Sequence, residues 1–123
     1  MFFKKKKEKE YLLTAGDIKP LLATKMGCIA TDRITVDGCK VGFLYREEPN
    51  TGLPDTGWRF FAGDESDDYL DNPENSGVFC LNTIANYDRD IIPLLDSAVG
   101  TAFYRDPKTG KFVMDQDWMR ENM

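Results

Sequence analysis

The dipeptide Asp37-Gly38, inside the alternating run ITVDGCKV, is the strongest constraint on how this chain folds. Asp-Gly supplies the positive φ angles of a two-residue type I′ turn, so the run predicts a β-hairpin. Pairing Val36 with Cys39 sets Ile34 opposite Val41. Ile34, Val36, Cys39, Val41, Phe43 and Tyr45 then share one apolar face, and Arg33, Thr35, Lys40 and Arg46 share the other.

The rest of the chain is punctuated at similarly short intervals. Thr14 to Ala23 reads as a short helix, with Thr14 as N-cap and Asp17 in the capping-box position. EEPNTGLPDTG is a loop, and Trp58 to Ala62 a strand that sends Trp58 and Phe60 into the core. Residues 64 to 71 form a short helix capped by Asp64, NPENSG turns, and Val78 to Leu81 is a further strand. Asn82 or Thr83 caps a turn through Tyr87, and Asp90 caps another that tolerates Pro93 in its first turn. TAFYRDPKTGKFVM reads as a hairpin, and Asp115 caps a last helix bearing Trp118. Strands dominate and helices are interspersed without β-α-β spacing. The expected fold is α+β, a mainly antiparallel sheet with a few short helices packed on it.

With 123 residues the chain makes one domain, residues 11–123, behind a basic, flexible tail at 1–10. That tail holds Phe2, Phe3 and Lys4 to Lys7, without the apolar core of a signal peptide. No run approaches the roughly 20 apolar residues that span a bilayer, so no membrane association is expected. Residues 11–123 carry 11 basic against 19 acidic side chains, net −8, which disfavours nucleic acid and favours a basic protein partner.

The chemistry available is narrow. With no histidine, Ser-His-Asp and Cys-His catalysis and histidine metal sites are excluded. Gly110-Lys111 has Arg105 where a phosphate loop needs its first glycine. Cys28, Cys39 and Cys80 are odd in number, lack a C-x-x-C pair, lie in apolar strand patterns and read as buried packing in a reducing cytoplasm.

FFAGDESDDYLDNPENSG, residues 60–77, holds Asp64, Glu65, Asp67, Asp68, Asp71 and Glu74 with no basic residue. It is not a calcium loop: counted from Asp64 the sixth and twelfth positions are Tyr69 and Asn75, and counted from Asp67 they are Asn72 and Val78. Capping accounts for Asp64, Glu65 and Asp67. Asp68, Asp71 and Glu74 fall beyond the first turn and repel one another. Asp64, Glu65, Asp67, Asp68, Tyr69, Asp71 and Glu74 are therefore the candidate partner-binding residues. No catalytic residue, metal ligand or cofactor is expected. The alternative is a divalent-metal-dependent hydrolase or small-ligand-binding protein using the same acids.

The segments YREEP, GWRFFAGDE, LDNPEN, NTIANYDRDIIPLLDS and GTAFYRD occur in an order that resembles a bacterial family, domain of unknown function 2185, grouped with immunity-protein-like domains of polymorphic toxin systems. The resemblance runs from about Met26 to Arg105. It implies a small cytoplasmic bacterial protein that binds and neutralises a toxin, and carries no catalytic residues. It assigns Asn82, Thr83, Asn86, Tyr87 and Asp88 to capping and to bracing the acidic loop.

Overall fold

The computed structural model describes residues 8–122, so Phe2, Phe3 and Lys4 to Lys7 of the expected tail lie outside the described residues. Among the described residues six strands form one sheet: β1 (Gly27–Thr31), β2 (Phe43–Arg46), β3 (Asp55–Phe61), β4 (Ser76–Cys80), β5 (Ala102–Arg105) and β6 (Phe112–Met114). The spatial order is β4-β1-β3-β2-β5-β6, antiparallel throughout except for the parallel pair β1 and β3. Four short helices accompany them: α1 (Asp32–Thr35), α2 (Asp67–Asp71), α3 (Leu81–Tyr87) and α4 (Gln116–Glu121). The expectation of an α+β fold with a mainly antiparallel sheet holds.

Period-two alternation divides the sheet faces. Cys28 and Ala30 of β1, Leu44 of β2, Trp58 and Phe60 of β3 and Phe103 of β5 point to one side. There they meet Ile34 of α1, Leu81 and Ile84 of α3, and Ile91 of the 3₁₀ segment Arg89–Leu94 in one buried cluster. Trp58, Leu44, Ile34, Ile84 and Ile91 are fully enclosed, each burial contributing about 1.5–3 kcal/mol. The second face carries Ile29, Thr31, Phe43, Tyr45, Arg59 and Phe61, and is only partly covered.

The hairpin expected across ITVDGCKV does not form. Asp32 to Thr35 make a helical turn, and the amides of Val36 and Gly38 donate back to the carbonyls of Asp32 and Ile34. Gly38 alone takes a positive φ, +77°, whereas a type I′ turn needs Asp37 left-handed as well. The Asp-Gly pair is a helix end, with the glycine in the left-handed cap position. Ile34 and Val41 are both completely buried because the helix and the following loop bring them to the core from different directions. Phe43 and Tyr45 accordingly leave the apolar face assigned to them and join the second sheet face.

Other boundaries shift for local reasons. Only Ala15–Asp17 of the expected 14–23 helix forms, as a single 3₁₀ turn, with the Thr14 amide and hydroxyl both donating to Asp17 Oδ2 at 2.8 and 2.9 Å. Asp88, not Asp90, caps the turn at 89–94 by accepting from the Asp90 amide at 3.0 Å. Neither Asn82 nor Thr83 caps α3, whose N-cap is Cys80. Asn82 Oδ1 instead accepts from the Leu21 and Leu22 amides, and Asn82 and Asn86 both donate to the Lys19 carbonyl. Tyr87 Oη accepts from Leu13 N and donates to the Thr35 carbonyl. These residues brace the incoming N-terminal segment rather than the acidic loop. The β5-β6 hairpin and the Asp115 cap of α4 form as expected, Asp115 accepting from the Trp118 amide at 3.0 Å.

Candidate functional site

The second sheet face becomes a groove because two helices stand on it at a distance from each other. On one side α4 lays Trp118 over β2, with the Trp118 ring 4.7 Å from Tyr45 and 6.2 Å from Phe43. Phe61 continues this aromatic surface, 5.6 Å from Tyr45 and 5.8 Å from Phe43. On the other side α2 and the turn after it contribute Tyr69, Leu70, Asn72 and Asn75. Ile29, Thr31 and Arg59 floor the space between, which has a volume of about 530 Å³.

Charge in the groove is ordered by Arg59, whose guanidinium is almost completely buried. It donates to both oxygens of Asp55 at 2.9 and 2.8 Å, to Glu47 Oε2 at 2.5 Å and to the Trp58 carbonyl at 3.1 Å. A buried charge this well paired is held in place, whereas an unpaired one would be expelled. The Arg59 side chain beside Asp55 holds the Asp55 carboxyl well below the usual range, helped by the Asn50 and Gly57 amides. Asp55 thereby also closes the 47–54 loop, accepting from Asn50 N at 2.9 Å. Glu47 remains half exposed, and its Oε1 accepts no hydrogen bond among the described residues. Burial, followed by the nearby Glu47 carboxylate, pushes the Tyr45 phenol up.

The acidic segment borders this groove, and its residues divide into two groups. Asp64 and Glu65 are engaged internally. Asp64 takes Arg33 Nε and Nη2 at 3.1 and 2.7 Å, while Arg33 also reaches Asp37 at 3.0 Å. Glu65 accepts from the Thr31 hydroxyl at 2.6 Å and from the Ala62 and Gly63 amides, both at 2.8 Å. Asp64 is not the helix cap; Ser66 is, accepting from the Tyr69 amide at 3.1 Å, because α2 begins only at Asp67, so that Asp68 falls within its first turn and Glu74 within the first turn of the next segment, and only Asp71 lies beyond one as expected. Asp67, Asp68, Asp71 and Glu74 are exposed and make no ion pair or side-chain hydrogen bond among the described residues. Tyr69 turns away from them into the groove, and its phenol is shifted up by burial and then by Asp32, Asp37 and Glu65.

Among the described residues no three acidic or cysteine side chains converge as a metal-holding group. The cysteines are unlike one another: Cys28 is buried, Cys39 is partly covered and Cys80 is exposed. Buried packing therefore describes Cys28 but not Cys80, which lies on the edge strand β4 with its side chain toward the open face. No helix among the described residues is long and apolar enough to cross a membrane.

Sequence reasoning missed the groove. Its signal was present in β2 and β3, where Phe43-Leu44-Tyr45 and Trp58-Arg59-Phe60-Phe61 place large side chains on both faces. Strands of that kind need cover on both sides.

Fold and site together define a small α+β domain with one sheet face sealed by helices and the other shaped into an aromatic, acid-bordered recess. A family model described as the immunity protein Imm33 domain matches residues 28–116, so the chain belongs to that family and is an immunity-type protein. No curated protein and no solved structure matches it.

Proposed function

We propose that this protein works without catalysis in the bacterial cytoplasm, binding a basic toxin domain and occluding it through the surface built around residues 64–74. The observation that carries this reading is the split within the acidic segment. Asp64 and Glu65 are spent on the fold, whereas Asp67, Asp68, Asp71 and Glu74 present charge to solvent without an internal cation among the described residues. First-turn positions favour Asp67 and Asp68 in α2 and Glu74 in the turn after it, but Asp71 stands four and three residues from Asp67 and Asp68, where like charges repel, so four acids without a cation are better explained by an external partner than by folding alone. They would steer a cationic surface toward the groove, where the aromatic side chains give up contact with water on docking. Family membership supports the immunity role, and the net charge of the body supports a basic partner.

The test is co-expression with a toxin domain encoded beside this protein. Wild type should relieve toxicity, and the variant Asp67→Asn/Asp68→Asn/Asp71→Asn/Glu74→Gln should associate about tenfold or more slowly at low ionic strength, with a flatter salt dependence. Unchanged association by the variant at low salt rules out this surface.

A further inference from the structure

The groove is too specifically furnished to be only a hydrophobic contact area. One wall is a packed aromatic cluster, Tyr45 stacked on Trp118 at 4.7 Å and on Phe61 at 5.6 Å, with Tyr69 opposite. Among the described residues its one cation, Arg59, is already claimed by Asp55 and Glu47. With Glu65 lining the far end, three carboxylates stand against one guanidinium, and the local balance is negative. The Asp55 oxygens are filled by Arg59, Asn50 and Gly57, and those of Glu65 by Thr31 and two amides. Glu47 is different, since its side chain is half exposed beside Tyr45 and its Oε1 accepts no hydrogen bond among the described residues.

Aromatic faces attract a cation through their negative quadrupoles, and a planar guanidinium both stacks on a ring and presents N–H groups at its edge to a carboxylate. We propose that the groove is an anchor pocket for one arginine side chain of the protein partner, its guanidinium lying against the groove side of the Phe61–Tyr45–Trp118 cluster and donating to Glu47 Oε1. The assignment rests on the docking reading above and specifies what enters the recess. Charge complementarity selects a cation, and ring geometry selects a flat one over the compact, strongly hydrated ammonium of lysine. The acids of α2 then act at longer range, guiding the partner, while the pocket fixes its register.

The probe is a capped Gly-Arg-Gly tripeptide titrated into the full ¹⁵N-labelled chain, with Gly-Lys-Gly and Gly-citrulline-Gly as controls. Trp58 and Trp118 give separate indole N–H signals, and Trp58 lies in the sealed core with its indole bonded to the Leu95 carbonyl at 3.2 Å. The arginine peptide should shift the Trp118 signal saturably with Kd on the order of 1 mM, leaving Trp58 still. Citrulline has the same shape without charge and should produce no saturable shift. Lysine should bind about fivefold or more weakly. Glu47→Gln, which keeps an acceptor for Arg59, and Trp118→Leu, which keeps apolar cover on β2 and is read from the backbone amides of Tyr45 and Glu47, should each weaken the arginine peptide about fivefold or more.

Equal binding of citrulline or lysine, shifts confined to the α2 backbone, or no saturation at about ten times the expected Kd would overturn the pocket. The variant lacking Asp67, Asp68 and Asp71 of α2 and Glu74 of the turn after it separates the two proposals. It should keep the peptide affinity of wild type within about twofold, since a small peptide needs no long-range steering. If that variant loses toxin association while wild type ignores the peptide, the docking surface stands and the arginine pocket falls; peptide binding with undiminished toxin association gives the reverse.

Discussion

The guanidinium of Arg59 is gripped by both oxygens of Asp55, four residues earlier on the same face of β3, at 2.9 and 2.8 Å. Removing one member of a buried pair leaves the other charged without compensation, which is more damaging than losing an exposed ion pair. Asp55→Ala should therefore lower unfolding free energy by about 3 kcal/mol or more in urea titrations. The pH dependence has a definite sign. The folded-state pKa of Asp55 is depressed below the ordinary carboxylate value of 3.8, so its stabilising contribution is present above that value and is lost as pH falls below it. Wild type should lose stability steeply on acidification below about pH 4, and Asp55→Asn should show a flatter acid limb from a lower plateau.

Gly57 holds that pair in register. Its φ of +86° lies in the left-handed region, and a Cβ there would stand 2.0 Å from the Glu47 carbonyl oxygen. Gly52, with φ +81°, has nothing within 4 Å of the corresponding point. Gly52→Ala should cost about 1–2 kcal/mol of conformational strain. Gly57→Ala adds a backbone collision, and should cost clearly more while also broadening the Arg59 Nε–H signal in NMR spectra. Equal costs at the two sites would show that the Glu47 backbone yields freely.

A different kind of local determinant sets the start of α2. Since Ser66 Oγ accepts the Tyr69 amide, Ser66→Ala should destabilise this helix by about 1 kcal/mol and speed amide exchange at Tyr69. Asp64→Asn weakens the contact with Arg33 and should leave exchange in α2 unchanged. The opposite result would restore Asp64 as the cap.

Readability from sequence followed the range of the forces involved. The α+β class, the β5-β6 hairpin, the Asp115 cap and the core positions of Trp58 and Phe60 depend on neighbours along the chain, and all were visible there. Asp37-Gly38 misled because a left-handed glycine ends a helix as readily as it turns a hairpin, and only the tertiary position of Ile34 decides between them. Asp64, Glu65 and Asp67 looked alike as capping acids, with Asp68 set apart from them. The separation of Asp64 and Glu65 from the other two depends on Arg33 and Thr31, roughly thirty residues away, which no local pattern reveals. The groove was hidden for the same reason: Trp118 and Tyr45 are distant in sequence and meet only after β2 and β5 pair. The alternating large side chains of β2 and β3 signalled a second covered face without showing what covered it.

The cysteines offer a readout of the whole fold that needs no partner. Cys28 is 1% exposed within the sealed core, and burial pushes its thiol far above the normal range, so it has neither access nor thiolate with which to react. Cys80 is exposed on the edge strand. A thiol-reactive disulfide reagent added to native protein should modify Cys80 rapidly and Cys39, which is partly covered, more slowly. Cys28 should react only through global unfolding, because β1 lies between β3 and β4 and cannot open without disrupting the sheet. In Cys80→Ser/Cys39→Ser protein the labelling rate of Cys28 should then rise with urea in parallel with the unfolded fraction, and Asp55→Ala should accelerate it in water by roughly a hundredfold, as about 3 kcal/mol requires. Rapid labelling of Cys28 in unperturbed native protein would mean that the sealed face opens locally, contrary to the packing of Leu81, Ile84 and Trp58 in the same core.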